Sequence, residues 1–246
     1  FHVGRVIDHL DTLGDLDNTI VVVLSDNGAS PEGGRHGAFN SVAWYNGVPL
    51  TLEAVLPKVD LLGSQQSHGH YPYGWAHAGN TPFQRWKREC HEGGVADPLI
   101  VHWPAGTEAR GEVRSQYLHA VDIMPTLLDA LGVAMPSTID GVSQVPIEGM
   151  SLLESFTDPA TDRQRVTQYY ELLGCRALYH DGWKAVAYHP LRGQLYVPGL
   201  DPDAPFADDR WELYRVADDF SESNDLADVE PARTREMIER WWAEAG

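Results

Sequence analysis

An apolar run that ends abruptly in two oxygen-bearing side chains and a glycine, Thr19-Ile-Val-Val-Val-Leu-Ser-Asp-Asn-Gly28, sets the tightest limit on how this chain folds. Residues 19–24 are β-branched or aliphatic with no polar alternation. That pattern predicts a strand buried on both faces, as in a parallel sheet covered by helices. In such sheets ligands gather beyond the carboxyl ends of the strands, where Asp26 and Asn27 fall. A carboxylate and a neutral amide oxygen are hard donors of the kind that Ca²⁺ or Mg²⁺ takes, and Gly28 allows the backbone to turn tightly after them. Asn-Gly is also the strongest short hairpin signal. A hairpin needs a second strand at once, whereas Ala29–Gly37 is glycine-rich and does not alternate. Spacing alone leaves a metal or ligand site and a structural turn both open.

The surrounding pattern alternates helix and strand. Val3, Val6, Ile7, Leu10 and Leu13 recur at helical spacing and Gly14 is placed to stop the helix. Residues 99–103 read as a second strand, and residues from Asp122 to Leu131 as a helix that Asp122 can cap, with Pro125 in its first turn. Residues 29–83 are irregular, and within them 51–59 fits a short helix or a strand. After Ser151 the runs Val166–Leu172, Cys175–His180 and Trp183–Tyr188, separated by Gly174 and Asp181-Gly182, predict an antiparallel meander. Trp211–Val216 adds a strand, and Pro231 opens a final helix with Met237, Ile238, Trp241 and Trp242 as its apolar stripe. The expected division is 1–150 as an α/β part and 151–246 as a small α+β part.

Leu-Ser-Asp-Asn-Gly at the end of such a strand resembles the second metal-ligand motif of the sulfatases, in the alkaline phosphatase superfamily. Asn80-Thr-Pro-Phe-Gln-Arg-Trp-Lys-Arg-Glu-Cys-His-Glu-Gly-Gly94 resembles the family segment in which a lysine, here Lys87, stands five residues before Glu-Gly-Gly. Pro98-Leu-Ile-Val-His-Trp-Pro104 is similar to the strand that follows it, Val121–Gly132 to the family's helix, and Trp211–Ala227 to its terminal strand and turn. The resemblance implies a partial alkaline-phosphatase-like mixed α/β sheet with flanking helices, plus a small carboxy-terminal antiparallel sheet packed by a helix. It carries a Ca²⁺ site, with Mg²⁺ possible, to Asp26 and Asn27. It makes Lys87 the catalytic and sulfate-binding lysine, although an isolated lysine is ordinarily a surface residue. Glu92 is expected to brace its loop rather than act as a base. His77, shortly before the lysine motif, is the candidate for lining the substrate pocket. His68 and His70, two apart, would share a face on a strand and suit a metal, but their surroundings read as a loop. Arg35 and His36 follow the metal motif and are not assigned a catalytic role.

The family's Cys-x-Pro-x-Arg or Ser-x-Pro-x-Arg motif, source of the formylglycine nucleophile, does not occur in these 246 residues. Cys90 and Cys175 stand in other contexts, and as a pair they allow one disulfide and demand none. The chain therefore reads as the carboxy-terminal portion of a sulfuric ester hydrolase of arylsulfatase type, inactive alone, with formylglycine expected upstream. The alternatives are a phosphoric or phosphonic ester hydrolase of the same superfamily, or a non-catalytic metal-binding fragment. With 18 basic against 36 acidic residues the formal charge is −18, which argues against nucleic acid as a partner. A small sulfate ester must then be met by a local cationic site. No apolar run is long enough to span a bilayer, and the pattern does not separate cytoplasmic from exported locations.

Overall fold

The computed structural model describes residues 1–48, 51–108, 110–161, 165–190, 201 and 203–246. Pro49, Leu50 and Pro202, which fall in segments read above, lie outside the described residues. In chain order the elements are α1 (His2–Leu13), β1 (Val21–Leu24), α2 (Ser41–Tyr45), α3 (Leu52–Val55), α4 (Tyr73–Asn80), α5 (Glu92–Val95), β2 (Leu99–His102) and α6 (Ile123–Ala130). They continue with β3 (Thr138–Ile139), β4 (Val142–Ser143), α7 (Leu153–Thr157), β5 (Thr167–Leu172), β6 (Cys175–His180), β7 (Trp183–Ala187), β8 (Trp211–Tyr214) and α8 (Pro231–Ala245). Two compact units emerge, each discontinuous in sequence: residues 1–24 with 99–168, and residues 25–98 with 169–246. This partition by contacts is a different one from the division at residue 150.

In the first unit α1 ends as expected at Gly14, whose φ of 77° gives the left-handed cap that lets its N–H reach the carbonyl of Asp11. β1 pairs with β2 in antiparallel register, Val22 opposite Val101 and Leu24 opposite Leu99. The expectation of a parallel, doubly buried strand therefore differs from the pairing in the described residues: Val23, Leu24 and Ile100 are 37%, 45% and 62% exposed. Unbroken apolar sequence reports low polarity, and the partner's direction is a tertiary property it does not encode. Asp122 stands at the N-cap position of α6, but its side chain makes no cap hydrogen bond to that helix. It is fully buried at the end of a preceding 3₁₀ turn, where it accepts from the backbone N–H groups of His119 (2.8 Å) and Met150 (2.9 Å) and from the Arg165 guanidinium. Burial raises its pKa, but Arg165 and these N–H donors more than offset that and lower it.

In the second unit 51–59 resolves as helical, with the Thr51 hydroxyl accepting from Ala54 N–H. The predicted meander is present, with strand order β5-β6-β7-β8. Its first two turns, Leu173-Gly174 and Asp181-Gly182, have positive φ at both positions, the geometry that matches strand twist in two-residue hairpins. Period-2 alternation sorts the sheet into two faces. Leu178, Ala185 and Leu213 pack on Met237 and Trp241 of α8, while Ile238 is half-buried and Trp242 exposed. Ala177, Val186 and Tyr214 pack on Cys90 and Cys175, and Lys184 and Glu212 share that face through their pairing with Tyr214 and Val186. It is this second face that meets the segment carrying Lys87.

Candidate functional site

The Asp26-Asn27-Gly28 loop and the lysine segment are joined backbone to backbone. A Cβ at Gly28 would sit 1.7 Å from the Gly93 carbonyl oxygen, and one at Gly93 would sit 2.3 Å from that of Gln84, so only glycine permits these approaches. The Gly28 N–H points to the Gly94 carbonyl at 3.4 Å, and the Lys87 N–H donates to the Ala29 carbonyl at 3.1 Å. Asn80, at the end of α4, completes the joint. Its amide oxygen accepts from Ala29 N–H at 2.9 Å, and its NH₂ donates to the carbonyls of Arg85 (2.9 Å) and Gly93 (2.7 Å). Three hydrogen bonds from one side chain thus place Asp26, Asn27 and Lys87 in one neighbourhood. Arg85 and Arg88, which flank Lys87, have φ values of 67° and 81°, costly for residues with a Cβ and held only because the contacts around them over-determine the loop.

Lys87 Nζ lies 3.1 Å from Glu32 Oε2, Arg88 pairs with Glu32 Oε1 at 2.5 Å, and the Ser30 hydroxyl donates to Oε2 at 2.9 Å. Burial alone would raise the pKa of Glu32; the hydrogen bonds from Ser30 and Lys87 and the charge of Arg88 outweigh it and hold the carboxyl at about 2. In the loop after β1, Asn27 Nδ2 donates to Asp26 Oδ1 at 2.8 Å, which sets the two side chains edge to edge. Burial, and then the negative charge of Asp26, pushes the Asp97 carboxyl up to about 6. Two carboxylates that repel each other beside an amide oxygen form an oxygen-donor set suited to a hard divalent cation. Among the described residues no group of three or more His, Cys, Asp or Glu side chains is placed to hold a metal ion, so these residues by themselves do not make up a Ca²⁺ site.

Glu92 begins α5 and is braced from the sheet. Lys184 Nζ, fully buried on β7, lies 2.6 Å from Glu92 Oε1 and 3.0 Å from Glu222 Oε1, while Glu222 Oε2 accepts from Glu92 N–H at 2.8 Å. Burial works against the charge of Lys184, but the two carboxylates more than offset it and raise its pKa above the ordinary lysine value. His91, also buried, meets Glu212 Oε2 at 2.9 Å. Cys90 and Cys175 are free and buried, and the Cys90 thiol donates to the Cys175 carbonyl at 3.3 Å. Burial pushes their thiols up to about 12 and about 11, which leaves them unreactive.

The histidines divide differently. His77 is exposed on α4, one turn before Asn80. His68 and His70 lie in extended backbone bridged to Asn40 and Ala38, with ring centroids 6.3 Å apart, and His68 Nδ1 bonds to the Ser41 hydroxyl at 2.6 Å.

Residues 1–133, more than half of the chain, match the family described as Sulfatase. The chain belongs to the sulfatase family. Residues 83–189 of this sulfatase chain also match the family described as N-sulphoglucosamine sulphohydrolase, C-terminal. An uncharacterized sulfatase of Schizosaccharomyces pombe is 30% identical over 244 residues, which is 98% of this chain and 40% of that protein. The arylsulfatase of Klebsiella aerogenes is 26% identical over 164 residues, 66% of this chain and 33% of its own. A solved sulfatase structure from a core locus for glycosaminoglycan metabolism in Bacteroides thetaiotaomicron superposes with a TM-score of 0.60 at 21% identity, over 98% of this chain and 42% of that one. At that identity the likeness shows fold, and it bears out the alkaline-phosphatase-like α/β expectation. The sulfatase chain spans less than half the length of these relatives. Among the described residues no helix is long and apolar enough to cross a membrane. Sequence reasoning missed Glu32, Asn80, Asp97, Lys184 and Glu222. Asn80 opens the same motif as Lys87, a signal that could have found it; the others carry no local pattern.

Proposed function

We propose that the full-length protein hydrolyses sulfuric esters, with Asp26 and Asn27 as two of its metal ligands and Lys87 as its sulfate-binding lysine. The observation that carries this reading is the Asn80 joint, which sets the loop of Asp26 and Asn27 against the backbone of Lys87. A divalent cation bound there would act as Lewis acid and template for a tetrahedral anion. Lys87, a compact cation with three donors, contacts a sulfate oxygen and the leaving oxygen as charge builds on it. Glu32 orients its ammonium group, and His77 is a further contact to substrate. The remaining metal ligands and the nucleophile, formylglycine in this reading, come from outside this chain, so the chain alone is expected to be inactive.

The test is turnover of 4-nitrophenyl sulfate by the full-length protein, with phenyl phosphate and a phenyl phosphonate ester in parallel. Lys87→Ala is expected to lower kcat by roughly 10²-fold or more, the scale for losing one preorganised donor. Unchanged turnover in that variant would remove Lys87 from the mechanism. Preferred turnover of the phosphorus esters would move the protein to the neighbouring branch of the superfamily. Asp26→Ala should weaken Ca²⁺ binding, read by calorimetry without substrate.

A further inference from the structure

We propose that Arg88 is a second anion-binding residue of the sulfate site, gripping the sulfate group of the ester together with Lys87. The inference rests on the sulfuric ester reading above. Both cations already converge on one anionic group: Lys87 Nζ lies 3.1 Å from Glu32 Oε2, and Arg88 Nη2 lies 2.5 Å from Glu32 Oε1. Extended backbone would send consecutive side chains to opposite faces. Here the two residues stand in a turn, and the left-handed φ of 81° at Arg88 brings its guanidinium round to the side of the Lys87 ammonium. Two charges that reach the two oxygens of one carboxyl group are spaced to reach two oxygens of one sulfate.

The backbone at Arg88 indicates that its side chain has a use. Glycine takes this φ without steric cost, so a turn that needed nothing more would be better served by glycine. Arg85 shares the left-handed conformation, but its guanidinium is committed: Nε pairs with Glu89 Oε2 at 3.4 Å, and the group lies over the Tyr188 ring, 4.9 Å from its centroid. Among the described residues the Arg88 guanidinium hydrogen-bonds to Glu32 alone. That bond uses one of its N–H donors, and Lys87 likewise spends one of its own on Glu32. Glu32 is the inner member of the trio, its side chain 10% exposed against 35% for Lys87 and 27% for Arg88, so the unused donors face away from it.

Charge gives Arg88 a part that Lys87 cannot fill by itself. Glu32, held at about 2, is ionised at neutral pH, so Lys87 and Glu32 alone form a neutral pair with little attraction for an anion. Arg88 leaves the trio with one net positive charge, opposite to the single negative charge of a sulfate monoester. Ser30 and Tyr45 hydrogen-bond to the same carboxyl group, so neutral donors fix Glu32 and the two cations keep their remaining donors for substrate. The guanidinium adds a fixed fork of N–H groups that matches two oxygens of a tetrahedral anion, where an ammonium offers only a point charge. A chain of formal charge −18 repels anions at longer range, which makes cations at contact distance decisive.

The experiment titrates inorganic sulfate into the full-length protein by calorimetry, with no ester present, and measures its competitive inhibition of 4-nitrophenyl sulfate turnover. Arg88→Gly suits the backbone and should leave the urea midpoint close to that of the wild type while weakening sulfate binding about tenfold or more, the scale of one charged hydrogen bond. Arg88→Asn, which also tolerates this φ, takes its place if the glycine variant loses folding. The comparison is repeated in a Glu32→Gln background, because a residue that only braces Glu32 has no carboxylate left to brace there. Weaker sulfate binding on removal of Arg88 in both backgrounds supports direct contact. Unchanged binding in either background overturns the proposal, and continued turnover of 4-nitrophenyl sulfate then leaves the sulfatase reading standing. Turnover of phenyl phosphate but of no sulfate ester, with sulfate binding that still depends on Arg88, overturns the sulfatase reading and keeps Arg88 as an anion-binding residue.

Discussion

Glu32 accepts from Ser30 and is flanked by the cations of Lys87 and Arg88, so its ionised form is favoured although the side chain is nearly buried. Its pKa of about 2 lies below the unfolded value, so its contribution to stability is complete above about pH 4.5 and is lost as pH falls toward 2. The urea midpoint of Glu32→Gln should therefore fall well below that of the wild type at pH 7, with the gap closing as both are titrated to pH 2. A gap that stays constant with pH would mean that the carboxylate charge contributes nothing. Gly28 gives a second residue-scale expectation. With the Gly93 carbonyl 1.7 Å from where a Cβ would sit, Gly28→Ala must displace one loop from the other. We expect a loss of at least about 1–3 kcal/mol in denaturant unfolding, the range for overpacking, together with weaker Ca²⁺ binding. Wild-type values of both would show that the loops tolerate separation.

At the scale of elements, the meander does more than close the fold: Lys184 ties β7 to the first residue of α5, and so to the turn on which Gly28 rests. Lys184→Met leaves Glu92 and Glu222 facing each other without a cation, and breaking a buried cluster in this way costs about 3–5 kcal/mol. Adding Glu92→Gln and Glu222→Gln to that variant should recover part of the loss, measured as a thermal or urea midpoint; no recovery would mean that packing, and not charge, sets the cost. The elements were legible in the sequence where the signal is local. Gly14 as a helix stop, Gly174 and Asp181-Gly182 as turn residues, and the Met237 and Trp241 stripe follow from spacing within a few residues. Asp26, Asn27 and Lys87 could be nominated from sequence because they stand in short motifs. Glu32, Lys184 and Glu222 could not, because their partners lie 55, 92 and 130 residues away, and neither pattern nor propensity reports on contacts of that range. The direction of β1 failed for the same reason, since Val101 and Ile100 are nearly eighty residues downstream. Asp122 holds the N-cap position that the sequence suggests, but its carboxylate is taken up by Arg165 and by the His119 and Met150 N–H groups, and two of those partners lie 28 and 43 residues away.

Across the whole molecule, a formal charge of −18 coexists with an uncovered aliphatic strip at Val23, Leu24 and Ile100. Charge keeps such a chain dispersed at neutral pH, and the sheet edges that have no partner among the described residues invite association once that charge is lost. The chain expressed alone should stay small in light scattering at pH 8 and assemble as the pH approaches its isoelectric point near 4.8. Assembly at pH 8 in low salt, or none at pH 5, would contradict this. Apart from Asn80, whose side chain bonds to both, the loop of Asp26 and Asn27 and the lysine segment meet through main chain. The spacing of the two segments is therefore held by main-chain contact, and exchanging side chains at Gly28 or Gly93 can break that spacing but cannot tune it.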